Sequence, residues 1–374
     1  MRFLITCGGT GGHINPAIAV ANYIKEQQPD AEILFVGGTR GMEGKLVPEA
    51  GYPLKVIPLS GISRSLSLNG LKANVRCVKN LLASYKRADA IIDDFRPDAI
   101  FGTGGYVCYP LLYRGAKKKI PAIVHESNAK TGLAVKRLAP HVDKILVAFT
   151  ENQKDIKQKE KIILTGNPIR QELLTTTGAD AKNTLGYTGK PVILSFWGSL
   201  GADFMNKIMV DFIERELLEK HFYHIHATGA RSHKQTLEAL AQKGIYPDKE
   251  ETLDLREYIY DMNTAMAAAD IVLSRAGALT CGELQALRKP AILIPSPNVT
   301  DNHQEKNARS LEKSGSVLMM LERDCTAEGL YNAVTTLLSD KEALAAMASA
   351  AENQAITDGT ARIYKEIMAC IKTA

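Results

Sequence analysis

The sequence predicts an α/β protein built as two doubly wound, Rossmann-like parallel-sheet domains facing a cleft. Three observations lead there. Short apolar runs alternate with longer amphipathic stretches along the chain, the pattern of parallel strands wrapped by helices. The 374 residues exceed what one core usually supports. The charge also divides: residues 1–165 carry 24 basic against 14 acidic side chains, and residues 166–374 carry 22 against 27. A basic half preceding an acidic half fits two domains with different partners.

In the first half, Arg2–Thr6, Glu32–Val36, Leu54–Pro58, Ala99–Gly102, Ala122–His125 and Lys144–Ala148 read as buried strands. Pro16–Gln27, Leu68–Phe95 and Leu133–Ala139 read as helices between them. In the second half, Val192–Trp197, Tyr223–Ala227, Ile271–Ser274, Ala291–Pro295 and Val317–Met320 are the strands. Helical patterns at Asn206–Leu218, Lys234–Lys243, Leu279–Leu287, His303–Lys313 and Ala327–Leu338 separate them. Gly166 and Pro168 punctuate the pattern and mark the join. The domains are therefore expected at 1–165 and 166–357. In the remaining 358–374, Ile363, Ile367 and Ile371 recur every four residues, giving a helix whose apolar face fits either domain, possible packing back on the first included.

Composition narrows the function classes. Hydrophobic residues at 45% and charged residues at 23% are ordinary for a soluble globular chain. The uncharged run Ala99–Tyr113 is interrupted by glycine and Pro110 and falls short of the roughly 20 apolar residues of a membrane span. Phe3-Leu4-Ile5 is too short for a signal-peptide core. Six scattered cysteines without a CxxC pair argue against a zinc site or disulfide frame and for a reducing cytoplasm. Aromatic residues are only 6% and do not cluster with Lys or Arg, which disfavours nucleic acid. The basic half still fits phosphorylated ligands or an anionic membrane.

The chemistry concentrates in loops after strands. Cys7-Gly8-Gly9-Thr10-Gly11-Gly12-His13 links the first strand to the first helix, a position where free N–H groups favour an anion. It is neither the dinucleotide fingerprint, since Ile14 stands where glycine is needed, nor a P-loop. Gly102-Thr103-Gly104-Gly105-Tyr106 and His125-Glu126-Ser127-Asn128 follow later strands at the same sheet edge, where ligands of open α/β sheets bind. Trp197-Gly198-Ser199-Leu200-Gly201 and Arg275–Glu283 repeat the arrangement in the second half. Glu283 fits either a helix cap or a ribose contact, and Asp301-Asn302-His303-Gln304 either caps or sugar contacts. No DxD occurs, and Asp93-Asp94 reads as a solvated helix face, so neither a metal nor a cofactor is expected and a diphosphate must be met by backbone dipoles and basic side chains.

Taken together, Gly8–His13, Gly102–Tyr106, His125–Asn128, Gly166–Arg170, Gly277–Glu283 and His303-Gln304 with Asn307-Ala308 resemble the MurG family of bacterial peptidoglycan N-acetylglucosaminyltransferases, which have the GT-B fold. The resemblance implies inverting, metal-free transfer of N-acetylglucosamine from UDP-N-acetylglucosamine to undecaprenyl-pyrophosphoryl-N-acetylmuramoyl-pentapeptide, forming a β(1→4) bond. It implies a peripheral enzyme on the cytoplasmic face of the inner membrane. Donor contacts are implied at Thr10, Gly11, Gly12, Asn128, Arg170, Ser199, Ile259, Ala278, Leu279, Thr280, Cys281, Gly282, Glu283 and Gln304. Among these, Ile259 is expected to read the uracil edge through its backbone and Glu283 to hold the ribose. Ser199 and the Ala278–Thr280 amides are expected to take the diphosphate. Leu200 departs from the family's Gly-Gly-Ser-Gln-Gly loop and cannot supply the glutamine's hydrogen bond; Ser127 stands where Gln is frequent.

Two residues compete as proton acceptor. His13 opens a helix, whose positive end disfavours imidazolium. Glu126 ends a strand, where partial burial favours a useful proton affinity. A UDP-N-acetylglucosamine 2-epimerase-like enzyme and a non-catalytic nucleotide-sugar-binding protein are the rival readings. Finally, Leu68, Leu71, Val75, Val78, Leu82 and Tyr85 form one helical stripe bordered by Lys72, Arg76, Lys79 and Lys86, with Arg114, Lys117, Lys118 and Lys119 nearby in sequence. Core packing explains such a stripe; docking on an anionic membrane surface explains it together with the basic border.

Overall fold

A computed structural model describes residues 1–39, 41–59, 68–198 and 200–373, without the side chains of 68–79 and 373. The chain forms two compact units, Met1–Ile169 with Thr357–Ala374, and Arg170–Ile356.

The first unit holds β1 (Arg2–Thr6), β2 (Glu32–Gly38), β3 (Leu54–Ile57), β4 (Ala99–Gly102), β5 (Ala122–Glu126), β6 (Lys144–Val147) and β7 (Ile162–Leu164). They form one parallel sheet in the order β3-β2-β1-β4-β5-β6-β7. Alternation along β1 feeds two cores. Phe3 and Ile5 pack with Ile14, Ala17, Val20 and Ile24 of helix Gly11–Gln27 and with Ile363 and Ile367 of helix Gly359–Thr373. Leu4 points the other way, into a cluster with Ile91, Ile92, Leu111, Leu112, Val135 and Leu138. Burying two isoleucines, at about 1.5–3 kcal/mol each, anchors the last helix on the first unit.

The second unit holds β8 (Val192–Phe196), β9 (Tyr223–Ala227), β10 (Leu253–Arg256), β11 (Ile271–Ser274), β12 (Ala291–Leu293) and β13 (Val317–Met319). Their parallel order is β10-β9-β8-β11-β12-β13. Met205, Met209 and Phe212 of helix Asp203–Glu219 and Leu330, Tyr331 and Val334 of helix Ala327–Ser339 cover one face.

The strand order of each parallel sheet reverses once, between β1 and β4 and between β8 and β11. Loops leaving such a pair diverge and open a crevice at the carboxyl edge. The glycine motifs leave these four strands.

Several details differ from the sequence reading. Residues 166–169 stay with the first unit rather than opening the second. The cause is local: Gly166 O accepts a hydrogen bond from His125 Nε2 at 2.9 Å, and Asn167 Nδ2 donates to Ser127 O at 3.1 Å. The first helix begins at Gly11, five residues before Pro16, because Ile14 and Pro16 are buried on the core side. Strands β7 and β10 and helices Glu43–Glu49, Cys108–Lys117, Gly178–Leu185 and Met262–Ala268 are additional.

Candidate active site

After β1 the chain turns through Cys7–Thr10 into helix Gly11–Gln27. Gly9 has φ +93°, a left-handed backbone that glycine adopts without strain. Thr10 takes the N-cap position but makes no side-chain cap bond. The N–H groups of Gly11 and Gly12 therefore stand at an uncapped helix start. His13 follows, with Nδ1 2.9 Å from Thr103 O, while Thr103 Oγ1 donates to His13 O at 2.6 Å. A carbonyl only accepts, so Nδ1 carries the proton and Nε2 keeps its lone pair. Burial holds the ring's pKa below 6.5 against the raising effect of the Thr103 bond, so it is neutral at pH 7. Gly104 and Gly105, at φ +85° and +78°, lie against the same ring, where an added Cβ would stand 3.5 Å from ring atoms. Two glycine motifs 90 residues apart thus converge on one histidine.

At the end of β5 the four polar residues separate in role. His125 is fully buried, and burial drives its pKa down to about 4. It belongs to the core. Because the unfolded ring titrates near 6.5, the unfolded chain binds more protons below that pH and stability falls as pH drops toward 4. The expected loss from this residue is about 2 kcal/mol on going from pH 7.5 to 5. Denaturant titrations at both pH values should show this increment in the wild type and lack it in His125→Asn; an unchanged pH dependence in the variant would contradict it.

Glu126 is buried, and both of its carboxylate oxygens are engaged. Oε1 accepts the Asn128 N–H at 3.1 Å and Asn128 Nδ2 at 3.3 Å, and Oε2 accepts the Gly132 N–H at 2.7 Å. The carboxylate shapes the turn carrying Asn128 and the start of helix Leu133–Leu138.

In the second unit a cavity of about 240 Å³ lies at the carboxyl ends of β8, β11 and β12, lined by Phe196, Trp197, Arg275, Gly277, Thr280 and Gln304 among others. Helix Ala278–Ala286 starts beside it after Gly277, with no side-chain cap and no acidic residue in its first turn. Its first amides and positive dipole end suit an anion. Leu279 and Gly282 are half-buried, while Cys281 is fully buried, its thiol pushed up to about 12 by burial. Glu283 does not cap the helix. Its Oε1 accepts Arg170 Nε at 3.2 Å and Nη2 at 3.1 Å, joining two predicted donor contacts 113 residues apart. Burial raises the Glu283 pKa, and Arg170 opposes that rise. Gln304 Oε1 accepts the Ser296 N–H at 2.9 Å, and buried Ile259 offers only its backbone. Ser199 lies outside the described residues, and neighbouring Leu200 is exposed.

Arg275 was not among the predicted contacts. Its guanidinium sits 5.9 Å from the Trp197 ring centroid, donates to Ile294 O at 3.0 Å and pairs with Glu322. A basic residue directly between a strand end and an uncapped helix start was the available signal. Trp197 Nε1 is enclosed without a hydrogen-bond partner among the described residues.

One other constellation imitates a catalytic triad. Ser195 Oγ lies 2.7 Å from His224 Nε2, whose Nδ1 is 2.8 Å from Glu216 Oε2. All three are at most 4% exposed, so no substrate reaches the hydroxyl. Burial drives His224 down to about 3 and Glu216 well up, as expected of a polar core network.

Residues 3–147 match the glycosyltransferase family 28 N-terminal domain, and residues 192–363 match its C-terminal domain. A UDP-N-acetylglucosamine–N-acetylmuramyl-(pentapeptide) pyrophosphoryl-undecaprenol N-acetylglucosamine transferase from Acetivibrio thermocellus is 43% identical over 373 residues, covering 100% of this chain and 99% of its own. The enzyme of the same description from Thermoanaerobacter sp. strain X514 is 43% identical over 368 residues, covering 98% and 99%. Among solved structures, Acinetobacter baumannii MurG superposes with a TM-score of 0.77 at 25% identity, over 98% of this chain and 99% of that one. The UDP-GlcNAc 2-epimerase of Neisseria meningitidis, solved bound to UDP-GlcNAc, gives a TM-score of 0.63 at 15% identity over 98% of this chain and 100% of that one, a likeness of fold alone. The chain belongs to glycosyltransferase family 28 and, within it, to the MurG family of peptidoglycan N-acetylglucosaminyltransferases.

Proposed function

We propose that this chain performs its transfer by direct inversion, with His13 as proton acceptor and without a metal ion. The reaction itself follows from family membership. N-acetylglucosamine passes from UDP-N-acetylglucosamine to the lipid-linked N-acetylmuramoyl-pentapeptide, a step of peptidoglycan synthesis. Neither the epimerase-like nor the non-catalytic reading survives that membership.

The observation carrying the mechanism is the His13–Thr103 bond, which leaves Nε2 as a neutral acceptor beside an uncapped helix start. The acceptor hydroxyl attacks the anomeric carbon, its proton goes to Nε2, and the bond to UDP breaks, giving the β(1→4) linkage from an α-linked donor. Glu126, the competing candidate, is better suited to positioning, because its lone pairs already hold the Asn128 turn. The leaving diphosphate is proposed to meet the Ala278, Leu279 and Thr280 amides, Ser199 and Arg275, with Cys281 and Gly282 acting through backbone. Glu283 with Arg170, Ile259 and Gln304 in the second unit, and Thr10, Gly11, Gly12 and Asn128 in the first, complete the proposed donor contacts. Fixed dipoles at the helix starts stabilise developing charge without an ion, while Arg275, already paired with Glu322, adds N–H donors rather than an unpaired charge. Activity on detergent-dispersed acceptor is therefore expected to survive EDTA; loss restored by magnesium would contradict the metal-free step.

We further propose peripheral docking on the anionic cytoplasmic face of the membrane. No helix among the described residues is long and apolar enough to cross a membrane. The side chains of Leu68, Leu71, Lys72, Val75, Arg76, Val78 and Lys79 lie outside the described residues. Further along helix Leu68–Phe95, Ser84, Ala88, Ile91 and Ile92 carry the buried face, while Leu82 is 60% exposed near exposed Lys86 and Arg87. An apolar residue left outside the core beside basic ones supports a docking role. Part of the second basic cluster is already neutralised: Arg114 Nη2 pairs with Asp89 at 2.7 Å and Lys118 with Asp93 at 2.7 Å. That leaves Lys117 and Lys119 there. Each free basic residue near an anionic surface contributes about 1 kcal/mol. Co-sedimentation is expected with anionic but not neutral vesicles, weakening with salt and with Lys72/Arg76/Lys79/Lys86→Ser. Equal sedimentation of that variant at low salt would place the docking face elsewhere.

A further inference from the structure

We infer that Glu43 is a positioning residue for the transfer: its buried carboxylate holds the first glycine loop in the turn that aims His13. This rests on the reading of His13 as proton acceptor. Glu43 opens helix Glu43–Glu49 and is 0% exposed. Its Oε2 accepts the Gly9 N–H at 3.0 Å and its Oε1 accepts the Gly38 N–H at 2.8 Å. The carboxylate thus ties the loop after β1 to the last residue of β2 through two charge-assisted bonds.

The surrounding glycines are shaped to this side chain. A Cβ at Gly8 would stand 2.8 Å from Oε1, at Gly37 2.6 Å from Cγ, at Gly38 3.2 Å from Oε1 and at Gly41 2.1 Å from Oε2. Four glycines in two separate segments therefore leave room for one carboxylate. The clamp is reciprocal, since the Met42 N–H donates to Gly9 O at 3.4 Å. It also uses the Gly9 amide, so an anion at this loop has the Gly11 and Gly12 amides instead.

From Gly9 the connection to His13 is short. Thr10 O accepts the N–H groups of His13 at 3.0 Å and Ile14 at 3.2 Å, which starts the helix. A Gly9 turn freed from Glu43 shifts that start and with it Nε2, and a misplacement near 1 Å can cost about a hundredfold in rate.

Glu43→Gln tests this. Its amide oxygen can accept one of the two N–H groups, but its amino group meets the other donor to donor. The expected result is a fall in kcat of about 10- to 100-fold, with a smaller loss of UDP affinity by calorimetry, since the Gly11 and Gly12 amides of the same loop are also proposed donor contacts. His13→Ala and Glu43→Gln/His13→Ala should then be equally slow, because Glu43 acts through His13. Glu43→Asp, which keeps the charge, should recover part of the rate; should the Gln variant not fold, Glu43→Asp carries the same comparison. Full kcat in Glu43→Gln, or multiplying losses in the double variant, would overturn the inference, as would failure of both variants to fold. Near-normal turnover of His13→Ala would instead refute the His13 reading itself.

Discussion

Replacing His13 with alanine is expected to lower turnover by about two to four decades while leaving UDP-N-acetylglucosamine affinity nearly unchanged. The tautomer argument makes this specific. Thr103 O fixes the proton on Nδ1, so the group lost is the Nε2 lone pair, which matters only once the acceptor hydroxyl begins to ionise. The pH dependence follows with a definite sign. A base must be neutral, and burial lowers this ring's pKa, so the acid limb of kcat should lie below pH 6.5 and disappear in the variant. If instead Glu126→Gln gives the large loss and His13→Ala does not, the carboxylate is the base. Near-normal turnover in both would refute both roles.

Glu283→Ala and Arg170→Ala are each expected to weaken donor binding by about one to two decades, the consequence of losing a charge-assisted hydrogen bond worth roughly 1.5–3 kcal/mol. Their pairing makes the two losses unequal in character. Without Glu283, Arg170 keeps its charge but loses the partner that orients it. Without Arg170, burial raises the Glu283 pKa unopposed, so donor affinity in that variant should gain a pH dependence. The sole tryptophan, Trp197, lines the cavity beside Arg275, so UDP titrations can be followed by its fluorescence as well as by calorimetry. Unchanged affinity in both variants would remove these residues from the donor site.

Much of the fold was legible because buried parallel strands are apolar on both faces. Leu4 and Ile5 serve opposite cores, so Arg2–Thr6 reads as a continuous hydrophobic run. The two strands missing from the sequence reading, β7 and β10, are both edge strands, although the edge strands β3 and β13 were read. Leu253-Asp254-Leu255-Arg256 alternates because only one face of β10 packs, Leu253 and Leu255 joining a core cluster while Asp254 pairs with Arg256 on the other, and β7 is just three residues long. Helix Cys108–Lys117 was hidden in a run that reads as broken by proline, yet Pro110 falls in its first turn, where no intrahelical N–H is needed.

The site was legible to a different depth. Glycine loops and helix starts announce themselves locally, which is why the Gly8–His13 and Gly277–Glu283 segments stood out. Partnerships across the chain do not. Nothing near His13 points to Thr103, and nothing near Arg170 points to Glu283 as its direct partner. Glu43 resembles any acidic residue at a helix start, and only the excess of glycine at 37, 38 and 41 hinted at a buried side chain needing space.

Product analysis tests the central claim most directly. The protein is incubated with labelled UDP-N-acetylglucosamine, with and without the lipid-linked N-acetylmuramoyl-pentapeptide. The account predicts a labelled β(1→4) disaccharide-lipid only when acceptor is present, formed equally well in EDTA and about two to four decades more slowly by His13→Ala. A labelled epimer released without acceptor, or an α-linked product, would contradict it.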